Sequence, residues 1–119
     1  MHNFKELNVW KDAMKIAKDI FSLTKKFPSE EKFGLTSQMN RCAVSCPSNI
    51  AEGAGRNSNK EFQQYLSIAL GSSYELETQL ILSHSFNYLD EAIFNELLTN
   101  INRNQKMIVK FRESLSKTS

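Results

Sequence analysis

The sequence predicts an all-α protein, an up-down-up-down four-helix bundle, and three observations carry that prediction. Apolar residues recur at steps of three and four along most of the chain, the spacing that gathers them on one helix face. Turn formers are scarce: 119 residues hold two prolines and four glycines, too few for a fold of many short strands. The interruptions of the helical pattern are short, and short connections set successive helices antiparallel.

The first helix is expected over residues 8–26, with Val9, Ala13, Ile16, Ile20, Leu23 and Phe27 facing inward. Trp10, Met14, Ala17 and Phe21 widen that face. Phe27-Pro28-Ser29 ends it, because proline disfavours helical geometry in the residue before it. A turn around Lys32-Phe33-Gly34 leads to a second helix over 35–53, with Met39, Cys42, Cys46, Ile50 and Gly53 along one stripe. Pro47 lies inside it and cannot donate to Ala43, so a local kink is predicted. Gly53 and Gly55 let the chain leave this helix and turn.

Ser58 followed by Glu61 is a capping-box pattern that opens a third helix over 59–86. Its inward positions are Phe62, Leu66, Ala69, Ser73, Leu76 and Leu80, and Gly71 and Ser72 at mid-helix let a neighbour come close. Asn87-Tyr88-Leu89-Asp90 reads as a corner with Asp90 as N-cap. The fourth helix, over 90–116, carries Leu97, Ile101, Asn104, Ile108, Phe111 and Leu115 in heptad steps. All four helices fit one domain spanning 1–119.

Hydrophobic residues at 40% and charged residues at 24% are ordinary for a soluble globular chain. No apolar run approaches the roughly 20 residues that span a bilayer, and charges occupy the N-terminus where a signal peptide is apolar. A cytoplasmic location without membrane attachment is expected. Cys42 and Cys46, four apart on one helix, are poorly placed for a disulfide and read as buried free thiols.

Catalytic and metal chemistry find no support in the spacing. Neither His2 nor His84 follows a glutamate by three residues, as a carboxylate-bridged metal site in a bundle requires. The two cysteines have no third ligand at useful spacing. No nucleophile motif is present, and no enzyme activity, metal or cofactor is expected. Gly53-Ala-Gly-Arg56 is no phosphate loop, since it follows no strand and lacks Gly-Lys-Ser/Thr; Arg56 is kept as a minor phosphate candidate.

Charge is unevenly spread. Residues 1–58 carry nine Lys/Arg against six Asp/Glu, residues 59–102 one against six, and residues 103–119 five against one. Lys11, Lys15, Lys18 and Lys25 share one face of the first helix, and Arg103, Lys106, Lys110 and Lys117 repeat that geometry on the fourth. Each row is about 21 Å long, enough for on the order of six phosphates of one strand. Since first and last helices are neighbours in an up-down bundle, the rows are expected to merge into one basic surface, for salt-sensitive, weakly sequence-specific contact with RNA or DNA. A solvated helix face has the same spacing.

A polar strip, Gln38, Arg41, Ser45, Asn49 and Glu52, runs along the second helix, and Glu75 and Gln79 can face it from the third. An Arg41 to Glu75 contact is expected there. The strip reads either as a recognition surface or as a network that fixes helix register or an oligomer interface.

Several segments together resemble a known family. They are Phe4-Lys5-x-Leu7-x-Val9-Trp10-Lys11-x-Ala13, Phe27-Pro28-x-x-Glu31-x-Phe33-Gly34-Leu35-Thr36-x-Gln38, Ser45-x-Pro47-Ser48-Asn49-Ile50-Ala51-Glu52-Gly53 and Ala69-x-Gly71-Ser72-x-x-Glu75-Leu76. The chain resembles the four helix bundle protein family, which includes bacterial 23S rRNA intervening-sequence proteins and is similar to the accessory variability determinants of diversity-generating retroelements. The resemblance runs from Phe4 to about Tyr88. It implies a bundle that assembles into a ring-like homopentamer and, for the retroelement relatives, a basic surface that binds nucleic acid and a partner reverse transcriptase. The leading expectation is a non-enzymatic, homo-oligomeric accessory factor that binds nucleic acid. The rival is a protein-interaction scaffold that does not.

Overall fold

The structure, a computed structural model, describes residues 2–117. Four helices, α1 (Asn8–Thr24), α2 (Leu35–Ala54), α3 (Asn59–Ser85) and α4 (Glu91–Ser116), follow one another with short corners. Short 3-10 turns precede α1 (Phe4–Glu6) and α2 (Ser29–Glu31). Successive helices pack on one another, α4 closes against α1, and among the described residues the diagonal pairs make no close backbone approach. The result is an all-α four-helix bundle about 46 Å long and 24 by 20 Å across.

Local chemistry sets the ends. Ser58 Oγ accepts the Glu61 backbone N–H at 3.1 Å and Asp90 Oδ1 accepts that of Ile93 at 2.8 Å, so each caps the helix behind it. Only half of the expected capping box forms, because the Glu61 carboxylate turns instead to Arg56 Nε at 3.0 Å. At the opposite end Glu31 accepts from the Leu35 backbone N–H at 3.2 Å and from the Tyr88 hydroxyl at 2.8 Å, joining the start of α2 to the α3–α4 corner.

The glycines after Pro47 behave differently from expectation. Gly53 lies inside α2 and makes no turn; a Cβ there would sit 2.7 Å from Tyr65 Cβ and 2.8 Å from Phe62 Cδ1. It is a point of close approach between α2 and α3. Gly55 caps α2 at φ −87°, which any residue adopts, and the left-handed position among the described residues is Asn87, φ 62°, in the α3–α4 corner. Pro47 is buried within α2, whose helical hydrogen bonding continues on both sides of it.

The interior divides into two apolar halves. One gathers Ile16, Ile20, Met39, Leu76, Leu80 and Ile101; the other gathers Val9, Ile50, Phe62, Leu66, Ile108 and Leu115. Between them lies a polar waist. Ser45 and Ser72 share a hydrogen bond of 2.9 Å from α2 to α3. Gln105 Nε2 donates to Ser73 Oγ at 3.1 Å and Glu77 Oε1 at 2.9 Å, joining α4 to α3. Asn104, 1% exposed, donates to the Val9 carbonyl at 3.2 Å and Asp12 Oδ2 at 3.1 Å, joining α4 to α1. Burying polar groups costs free energy unless they are paired, so a helix shifted by one turn would strand these groups. The waist therefore discriminates between registers that apolar packing alone tolerates.

Candidate nucleic-acid interface

The helical period of α1 turns Lys11, Lys15, Lys18 and Lys25 away from its buried face, and all four are exposed. The same logic exposes Arg103, Lys106, Lys110 and Lys117 on α4. Two of the eight are neutralised locally. Lys15 Nζ is 2.9 Å from Asp19 Oδ2, a hydrogen bond that raises the lysine pKa, and Arg103 Nη2 is 2.8 Å from Asp12 Oδ1. The other six enter no ion pair among the described residues.

The two rows meet at the α1–α4 seam, but not as an uninterrupted basic surface. Lys18 and Lys25 line the groove between α1 and α2, Lys106 and Lys110 line the hollow between α3 and α4, and Lys110 also borders a hollow beside the start of α1. The α1–α4 seam between the rows holds Asp19 and Glu96 beside Lys15 and Lys26, and Asp12 in its pair with Arg103. Neighbouring helices of a bundle point their outer faces in different directions, and carboxylates occupy the seam. Asp12, Asp19 and Glu96 therefore interrupt the basic residues where α1 meets α4.

The α4 row gains a feature that spacing along single helices did not reveal. Tyr74, 51% exposed on α3, shares the wall of a hollow of about 490 Å³ with Asn102, Gln105, Lys106 and Lys110 of α4. An aromatic ring beside two lysines and a carboxamide offers a base a face to stack on and its phosphates two cations. The lateral pairing of α3 with α4 brings these residues together; the signal in the sequence was an aromatic residue, Tyr74, outside the inward pattern of α3.

The polar strip splits. Ser45 and Asn49 are half-buried and satisfied within the chain, Asn49 Nδ2 donating to the Ser45 carbonyl at 2.8 Å. Glu52 faces Arg56 at 3.5 Å. The expected Arg41 to Glu75 pair is absent: Arg41 enters no ion pair among the described residues, and Glu75 Oε2 receives the Cys42 thiol at 3.8 Å. Cys42, one position round the helix from Arg41, takes the place that faces α3, while Gln38, Arg41 and Glu75 stay exposed. Gln79, also opposite this strip, donates to Cys42 Sγ at 3.5 Å, and its buried Oε1 has no protein partner.

The remaining candidates settle into structural roles. Arg56 bonds Glu61 and Glu52 and lies 5.2 Å from the Tyr65 ring centroid, so it braces the α2–α3 corner. Both cysteines are free and buried. Burial pushes the Cys46 thiol up to about 12, and burial followed by the neighbouring Glu75 raises Cys42 despite an opposing Gln79 hydrogen bond. Protonated thiols of this kind are poor nucleophiles. Among the described residues no cluster of His, Cys, Asp and Glu could hold a metal ion, and no helix is long and apolar enough to cross a membrane.

Comparison with known proteins gives matches of two kinds. Residues 5–110 match the sequence family described as 23S rRNA-intervening sequence protein. A solved structure from Bacteroides thetaiotaomicron, described as a protein with unknown function from the S23 ribosomal protein family, shares the fold with a TM-score of 0.81. It is 25% identical, and the alignment covers 87% of this chain and 97% of that one. No curated protein matches the sequence.

Proposed function

Because the chain belongs to the 23S rRNA-intervening sequence protein family, we propose that it is a non-enzymatic cytoplasmic accessory protein that self-associates and binds single-stranded nucleic acid across the α3–α4 face. The observation that carries this reading is the hollow where exposed Tyr74 lies beside Lys106 and Lys110. Stacking on an aromatic ring tolerates any base, and lysines attract the backbone without reading sequence. Lys117 continues the cationic row along α4. The ribosomal RNA context in the family's description makes RNA the first ligand to try. A reverse transcriptase belongs only to the retroelement branch, which such a gene beside this one would select.

Fluorescence anisotropy with a generic single-stranded RNA and a duplex DNA, across a salt series, tests the reading. Binding at low salt should weaken linearly in log–log form as salt rises. Lys106→Gln with Lys110→Gln should lower the salt slope by about one for each lysine that meets a phosphate, and Tyr74→Ala should weaken single-strand binding more than duplex binding. No binding at low salt, or a slope untouched by the lysine changes, refutes the proposal.

A further inference from the structure

The outer face of α3 carries a seam that the bundle touches only weakly, at Glu75, which receives the Cys42 thiol. Gln64, Ile68, Gly71, Glu75, Thr78 and Leu82 follow at steps of four, three, four, three and four, and Phe86 adds one further step of four. All seven are exposed, with Ile68 at 51%, Leu82 at 43% and Phe86 at 53%. Steps of this kind repeat every 3.5 residues, the period with which one helix offers a continuous seam to another. At its middle stands Gly71, where an added Cβ would meet nothing within 4 Å. A mid-helix glycine weakens a helix, and no contact inside this chain requires it.

A surface of complementary character lies on another side of the molecule. Between α1 and α2 runs an open groove of about 580 Å³ walled by Trp10, Met14, Phe21, Val44 and Pro47. Lys18 and Lys25 stand on its rim, and no carboxylate lines it. The α3 seam carries Glu75, and α3 has no lysine or arginine after Lys60. Trp10 to Lys25 spans about 22 Å of helix and Ile68 to Leu82 about 21 Å. Length, apolar content and charge thus match between two faces of the same chain.

We infer that the groove between α1 and α2 receives the α3 seam of a second copy, with Gly71 at the closest approach and Glu75 directed to the groove lysines. The inference rests on the self-association proposed above and specifies its geometry. Such a contact is heterologous, each copy offering a groove to one neighbour and a seam to the next, which generates a ring when the rotation closes. A symmetric α3-to-α3 contact is disfavoured, because crossing at Gly71 would place Glu75 near its own counterpart with no cation on either seam. Assembly by this route covers Lys18 and Lys25 and leaves Lys106 and Lys110 of α4 free for nucleic acid.

Sedimentation velocity on the full chain and three variants tests it. Val44→Glu spoils the groove, Ile68→Lys spoils the seam, and Gly71→Leu fills the closest approach; all three sites are exposed, so circular dichroism should remain helical. The native chain should sediment as an oligomer and each variant as a monomer. An equimolar mixture of Val44→Glu and Ile68→Lys should recover a one-to-one pair and stop there, since only one intact groove and one intact seam remain. Oligomers that survive Val44→Glu but not Ile68→Lys indicate seam-to-seam contact and overturn the assignment, while oligomers that survive all three overturn it and leave self-association standing. A native chain that is monomeric throughout overturns self-association itself.

Discussion

Gly53, near the end of α2, and Gly71, at the middle of α3, both lack a side chain, but the space each leaves is used differently. At Gly53 the space is filled by the chain itself: Phe62 and Tyr65 of α3 press to where a Cβ would be. At Gly71 the space is open to solvent. Both glycines tax their helices in the same way. In the first case the fold recovers the cost through close packing of α2 on α3; in the second nothing within the chain does. The contrast extends to their surroundings, since Leu66 beside the closed contact is fully buried while Ile68 on the open seam is half exposed. One side of α3 holds this molecule together, and its other side is dressed for contact while making little beyond the Cys42 thiol on Glu75.

Substitutions on the closed side should have the largest effects on stability. Leu66→Ala removes a side chain that is 0% exposed in the half of the core built around Phe62 and Ile108, and about 2–5 kcal/mol should be lost in urea unfolding of dilute protein. Gly53→Ala follows. Tyr65 Cβ cannot retreat without moving its backbone, so the added methyl should cost about 1–3 kcal/mol. A neutral Gly53→Ala would erase the contrast, because it would mean that the α2–α3 contact yields as easily as open surface.

Alkaline titration probes the same closed interior. The folded chain holds the Cys46 proton to about 12 against an ordinary 9.0, and the cause is burial. Since the folded-state pKa is raised, the unfolded chain releases this proton first. The Cys46 contribution is therefore fully present below pH 9 and is lost as pH climbs from 9 toward 12. By pH 10 the loss should be on the order of 1 kcal/mol. Cys46→Ala should flatten that part of the stability–pH curve relative to the native chain, and parallel curves would show that the interior near residue 46 is wetter than the packing describes.

The difference between the two glycines also explains how much the sequence disclosed. Helical periodicity, Ser58 and Asp90 located four helices to within a few residues, because amphipathic spacing and cap chemistry are local properties. What was misplaced depended on neighbours. Gly53 looked like a helix exit because a glycine near a corner reads the same whether it turns the chain or admits an aromatic ring. The two lysine rows were correctly exposed, but the carboxylates that interrupt them were not foreseen, since spacing on one helix does not say what stands beside it on the next. The Arg41–Glu75 pair failed for a related reason, one position of rotation giving the inward place to Cys42. Asn104 was legible in principle: a lone amide in an otherwise apolar heptad marks a register lock, and here it bonds α1.

The smallest expected effect is the one that separates the two glycines most cleanly. Gly71→Ala adds a methyl into open space and improves helix propensity, so dilute protein should become more stable by about 0.5–1 kcal/mol. The sign is opposite to that of Gly53→Ala although the chemical change is identical, and urea unfolding of the two variants side by side reads it directly. Dilution matters because assembly adds its own concentration-dependent stabilisation, which a substitution at the seam can offset. A loss in dilute protein would place Gly71 in an intramolecular contact and deprive the open seam of its reason to exist. A gain that shrinks or reverses as concentration rises would show the same methyl stabilising one chain while obstructing its neighbour.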